Sequence, residues 1–136
     1  MSYTVEVSFD LRKRSRVSMF QGEVRECAEK HDCTRYYTMH ECEGRGGTMD
    51  RNHCVFVVEF DSEDTKGVVG FLSEVKRTQY LYVESVYEER GKYNLLYASS
   101  KYLRRMDKDA MRAFKQRKRT QSLGEYETQI LSVLVK

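Results

Sequence analysis

Proline and tryptophan are both absent from this 136-residue chain. Without proline, strand edges and loops must be shaped by glycine and by charge. Without tryptophan, the ten tyrosines carry the large-residue packing, each burying a ring while its hydroxyl reaches water. No apolar run approaches the ~18 residues of a membrane-spanning helix, so no membrane partner is expected. Met1–Leu11 alternates as a strand does and lacks a signal peptide's apolar core. That favours an intracellular location, cytoplasmic or nuclear. Cys27, Cys33, Cys42 and Cys54 form no CxxC pair, and free thiols in a reducing compartment are the default. Catalytic signatures are missing too. There is no phosphate-cradling glycine loop and no GxSxG, and "GRGG" at Gly44–Gly47 does not join a strand to a helix. The expectation is no enzyme, no catalytic residue, no cofactor and no small-molecule substrate.

What is present suffices to bury one core unaided, with 40% hydrophobic and 33% charged residues. The net charge of +3 conceals an asymmetry. Between Lys101 and Arg119, nine Lys/Arg stand against Asp107 and Asp109, a local +7 that leaves −4 on the remainder. A mildly acidic body with a strongly basic C-terminal segment implies an acidic partner. A smaller basic cluster, "RKRSR", fills Arg12–Arg16.

Periodicity organises the rest. "YTVEVSFDL" sets Tyr3, Val5, Val7, Phe9 and Leu11 against Thr4, Glu6, Ser8 and Asp10, which predicts a half-buried strand. In "SRVSMFQGEVRECAEKH", Val17, Phe20, Val24, Cys27 and His31 recur at helical steps behind Ser15, a candidate N-cap. "TRYYTMHEC" is a second strand, with Tyr37 and Met39 opposed to Tyr36, Thr38 and His40. "HCVFVVEF" is the most apolar strand and should be central. "DSEDTKGVVGFLSEVKR" reads as a helix capped by Asp61 or Ser62, its stripe Val68, Phe71 or Leu72, and Val75. Gly67 and Gly70 inside it cost roughly 1 kcal/mol each relative to Ala, which suggests close packing on the sheet. "YLYVESVYEE" follows as a fourth strand.

This β-α-β-β-α-β order reads as an α+β, ferredoxin-like split βαβ arrangement: an antiparallel sheet with two helices on one face. Its expected core is Val5, Val7, Phe9, Phe20, Val24, Phe56, Val58, Val68 and Val75. Residues 1–90 form that module, and residues 91–136 form an extension packed on or beside it. The extension holds a hairpin strand, "YNLLYAS", turned at Gly91, then a basic helix capped by Asp107. Last comes "SLGEYETQILSVLVK", with a Ser122–Glu125 capping box and a Tyr126, Ile130, Leu134 stripe.

"HCVFVVEFDSEDTKGVVGFL" resembles the third strand and second helix of an RNA-recognition motif, a family whose exposed strand aromatics stack on bases. With Phe60 at the last aromatic, Val55 and Val57 occupy the two stacking positions and Cys54 a glycine position. Valine offers a base no π-face, and Glu6 and Asp10 on the same outer face would repel phosphate. Tyr37, Tyr80 and Tyr82, with Tyr93 and Tyr97 on the hairpin, are the remaining outer-face aromatics, and packing is their commoner use. A face of Val55, Val57, Met39 and tyrosines still needs a cover, either the C-terminal "ILSVLV" helix or another subunit. Small ferredoxin-like acylphosphatases bracket an anion loop with glycine after strand one, whereas Arg12–Arg16 has arginine without that cradle. "YASSKYLRRMDKDAMRAFKQRKR" is similar to segments of small proteins from large double-stranded DNA viruses. That resemblance implies a virion or assembly component.

The candidate metal ligands are Cys27, His31 and Cys33, with His40, Cys42, His53 and Cys54 further on. Cys27 and His31 can share a helical face, yet no second short-spaced pair completes a four-ligand set, so no metal is expected. The basic segment carries the sharper hypothesis. Lys108, Arg112, Lys115 and Arg119 recur at three- or four-residue steps, away from Ala110, Ala113 and Phe114. A solvated helix end is the bland explanation, but +7 exceeds what a helix end needs. The binding set is Arg104, Arg105, Lys108, Arg112, Lys115, Arg117, Lys118 and Arg119. The expected role is a non-catalytic structural or interaction protein docking in a larger assembly. Its partner would be another protein or a second copy, with nucleic acid as the alternative.

Overall fold

The structure, a computed structural model, describes residues 2–10, 17–39, 53–61, 65–78, 81–89, 93–120 and 125–134. The expectations placed on Arg12–Arg16, His40, Cys42, Gly44–Gly47, Ser62, Tyr80, Gly91 and Ser122 lie outside the described residues. So do the side chains of Phe9, Met39, His53, Cys54, Tyr93, Arg105, Arg119 and Tyr126.

The described residues form a mixed α+β fold with one antiparallel sheet and five helices. Strands β1 (Ser2–Asp10), β2 (Arg35–Met39), β3 (His53–Asp61), β4 (Leu81–Glu89) and β5 (Tyr93–Ala98) run in the order β2-β3-β1-β4-β5. Every neighbouring pair is antiparallel. The order differs from a four-stranded split βαβ sheet in carrying β5 outside β4. β1 sits at the centre because its Tyr3, Val5 and Val7 are wholly buried on one face, a position no edge strand could provide.

Helices α1 (Val17–Lys30), α2 (Thr65–Arg77) and α5 (Glu125–Leu134) close that face. Their Phe20, Val24, Ala28, Val68, Phe71, Leu72, Val75, Ile130 and Leu134 join Tyr3, Val5, Val7, Phe56, Val58 and Phe60 in one core. Three helices therefore cover this face, not the two expected, because α5 packs along α2. Lys76 of α2 fixes it there, its Nζ donating to the Val133 and Leu134 carbonyls at 2.8 and 3.2 Å. Those carbonyls have no partner within their own helix, and an ammonium at a helix C-terminus also complements the dipole.

Two sheet irregularities position the core. "VESV" breaks alternation, so Val83 and Val86 reach the same side only if one residue bulges out. The register shifts there, and Glu84 is the extra residue. A second shift in β5 turns Leu96 and Tyr97 to the core side while Leu95 faces the other way.

α1 stops at an aspartate. Asp32 has φ 59°, and the Cys33 N–H donates to Ala28 O at 3.1 Å and the Asp32 N–H to Glu29 O at 3.2 Å. This is a Schellman turn with Asp where glycine is usual.

The opposite sheet face is partly covered as well. Val55, Val57, Leu95 and Phe114 are buried but stand outside the main core. A short helix, α3 (Ser100–Arg105), starts at Ser99, whose hydroxyl accepts from the Tyr102 N–H at 3.1 Å. α4 (Lys108–Thr120) follows it. The Tyr87 and Tyr102 hydroxyls hydrogen-bond, tying α3 to β4. The C-terminal helix does not cover this face, contrary to one of the two expected covers. In the segment before it, Phe114 is buried and Arg117 reaches the Leu95 carbonyl.

Candidate functional site

α4 is amphipathic in an unusual way, since its buried stripe is narrow. Phe114 is only 4% exposed, Met111 and Arg117 are half-buried, and Lys108, Asp109, Arg112, Lys115, Gln116 and Lys118 are exposed. Ala110 and Ala113, expected beside Phe114 on the packed side, are exposed too. Steps of three through Met111, Phe114 and Arg117 define the side that packs. Lys108, Arg112 and Lys115 fall on the arc turned away from it.

Among the described side chains of the expected basic set, Arg117 turns inward. Its Nη2 donates to the Leu95 carbonyl at 3.4 Å and its guanidinium lies 5.9 Å from the Phe114 ring centroid. A long aliphatic stem lying along apolar surface explains the inward placement. Lys118 shares the ring, its Nζ 5.4 Å from the centroid, yet stays exposed. Arg104 is exposed, with Nε 3.4 Å from the Ser100 carbonyl. Asp109 offsets little, because its 3.9 Å pair with Arg112 joins two nearly fully exposed side chains. Among the described side chains of α4, Lys108, Arg112, Lys115 and Lys118 are thus the exposed cations.

The sheet face next to this helix holds a groove of about 300 Å³ lined by Thr4, Glu6, Arg35, Tyr37, Val57, Glu59 and Tyr87. Arg35 and Glu59 pair across strands, and the Arg35 guanidinium lies 5.4 Å from the Tyr37 centroid. Val55 and Val57 are 1% and 2% exposed, so those positions present nothing for a base to stack on. Tyr37, at 41%, is an exposed outer-face aromatic. Tyr97 instead packs against the core, where burial and then the nearby Glu84 carboxylate push its hydroxyl up.

A second constellation lies between α1 and α2, on the far side of the sheet from α4. Cys27 Sγ donates to Glu74 Oε2 at 3.2 Å, and His31 Nε2 lies 3.0 Å from Glu74 Oε1. Lys30 Nζ donates to the same Oε1 at 2.7 Å. With three donors around it, first Lys30, then His31 and Cys27, the Glu74 carboxyl is held down at about 2. Burial, and then the hydrogen bond to that carboxylate, pushes the Cys27 thiol up to about 12. Cys33, weighed beside Cys27 and His31, is not part of the group; it packs against the core. Glu74 replaces it, and a glutamate forty-three positions from His31 leaves no trace in local spacing. Gly70 is the one legible sign. A Cβ there would stand 2.6 Å from the His31 ring, so the glycine admits the histidine that follows α1, whereas the sequence suggested close packing on the sheet.

In comparisons with known proteins, no family model, no curated protein and no solved structure matches this chain.

Proposed function

We propose that this chain is a non-catalytic interaction module that docks in a larger assembly by laying the exposed cations of α4 on an acidic protein surface. The observation that carries this reading is the division of labour within α4. One aromatic, Phe114, anchors the helix, while Lys108, Arg112, Lys115 and Lys118 are left to solvent. A helix that needed charge only to stay soluble would not gather +7 within nineteen residues of a chain whose remainder is −4. The reading takes residues 2–89 as a ferredoxin-like scaffold, supported by the run β4-β1-β3-β2 within the sheet. Residues 93–134 are its extension, with α5 locked on the helical face and α3–α4 on the other. A virion or assembly setting is part of this reading, as the resemblance seen in the sequence of residues 97–119 implies.

The chain's own acidic body is one such surface, so self-association is the first place to look. Size-exclusion chromatography with light scattering should give a mass that rises with concentration at low salt. Replacing Lys108, Arg112, Lys115 and Lys118 with Gln, or adding salt, should return it to the monomer. A monomer whose mass changes only when duplex DNA is added would move the reading to the second candidate, a nucleic-acid-binding module. That candidate is favoured by the scarcity of carboxylates on α4, where Asp109 is the sole acid.

A further inference from the structure

We propose that Cys27, His31 and Glu74 form a binding site for one divalent transition-metal cation, zinc fitting best, at the seam between α1 and α2. The donor atoms all lie within 4.8 Å of one another, with Cys27–Glu74 at 3.2 Å and His31–Glu74 at 3.0 Å. Zinc bonded at ~2.0–2.3 Å to sulfur, nitrogen and oxygen sets its ligands roughly 3.3–3.8 Å apart, so small side-chain adjustments seat the ion. One thiolate, one imidazole and one carboxylate make a borderline-soft set that suits zinc, and calcium or magnesium would prefer oxygen alone.

The helices build the geometry. Cys27 stands in the last turn of α1 and His31 directly follows that helix, its N–H still donating to the Cys27 carbonyl at 3.2 Å, and Gly70 and Glu74 are four apart on α2, so each pair stacks on one side. Gly70 leaves the room that the His31 ring occupies. Cys27, Lys30 and Glu74 also line a groove of about 380 Å³ with Glu23, Glu26 and Thr78. A fourth ligand, water or a partner's side chain, enters from that groove.

Two groups compete with the cation. The Cys27 proton must leave, and Lys30 must release Glu74. The Lys30 side chain is 67% exposed, so its departure costs little. The competition yields a prediction that a purely structural polar cluster does not share: Lys30→Gln should tighten metal binding. This site stands apart from α4 and does not depend on the proposed function.

The test is cobalt titration of the full-length, reduced, chelator-treated protein, followed by displacement with zinc. One equivalent of cobalt should saturate a near-ultraviolet thiolate-to-cobalt band, and zinc should abolish it. Cys27→Ser should remove the band, whereas Cys42→Ser with Cys54→Ser should keep it. His31→Ala and Glu74→Gln should each weaken binding at least tenfold, and Lys30→Gln should strengthen it severalfold. Should Cys27→Ser fail to fold, the His31 and Glu74 variants carry the same decision. No saturable binding, a band that survives Cys27→Ser, or one lost with Cys42 and Cys54 would overturn the proposal.

Discussion

At Cys27 burial, and then the hydrogen bond to the Glu74 carboxylate, decide how the thiol reacts. Moved from an ordinary 9.0 to about 12, it carries about a thousandfold less thiolate at neutral pH. Metal-free protein should therefore be alkylated at Cys27 about a thousandfold more slowly than the unfolded chain, read by peptide mass mapping. Glu74→Gln should recover only the part of that rate that burial does not withhold, and labelling of native Cys27 at the unfolded rate would contradict its protection by burial and by Glu74 together. Glu74 gives the complementary pH signature. A carboxyl held at about 2 instead of the ordinary 4.5 contributes stability that is present above 4.5 and lost as pH falls through 2. In denaturant titrations, wild type should exceed Glu74→Gln in stability at pH 5 and lose that margin by pH 2. A margin that is constant with pH would show that the carboxylate's charge is not what matters.

At the scale of the element, the end of α1 and the anchoring of α4 are the informative places. Asp32 holds a left-handed conformation that strains a residue with a Cβ. Asp32→Gly should stabilise the protein by up to about 1 kcal/mol, and Asp32→Val should destabilise it by a similar amount, both read from thermal midpoints. α4 depends on Phe114. Phe114→Ala removes a buried ring worth about 3 kcal/mol in packed surroundings, but the main core does not include it. Amide exchange across 108–120 should accelerate while β1 and α2 keep their protection. Loss of protection in both together would mean that α4 is integral to the core. The sequence showed these elements wherever one periodicity held. Tyr3, Val5 and Val7 alternate, and Phe20, Val24, Val68 and Val75 repeat at helical steps; all seven are in the core. It hid what depends on a distant partner. α5 is held by Lys76, and Arg117 reaches inward to the Leu95 carbonyl. α3 could have been read from the Ser99 cap, but six residues are too few for periodicity to announce.

Across the whole molecule, the two sheet faces do different work. The helical face holds the core and the Cys27–His31–Glu74 group, and the other carries α3 and α4 with their exposed cations. The basic set is visible in the sequence as charge density, and its orientation is not, because which cations face solvent depends on where Phe114 is seated. The central claim is that these cations recognise an acidic protein surface, and nucleic-acid affinity tests it most directly. Fluorescence anisotropy at physiological salt should compare the full chain with a synthetic peptide of residues 107–120 on several labelled DNA duplexes. The account predicts weak binding, with Kd near the 10⁻⁴–10⁻⁶ M range typical of non-specific contact. That affinity should be the same on every duplex and no tighter than the peptide's. Binding at about 10⁻⁸ M or tighter to one duplex over the others, lost when Lys108, Arg112, Lys115 and Lys118 become Gln, would contradict it.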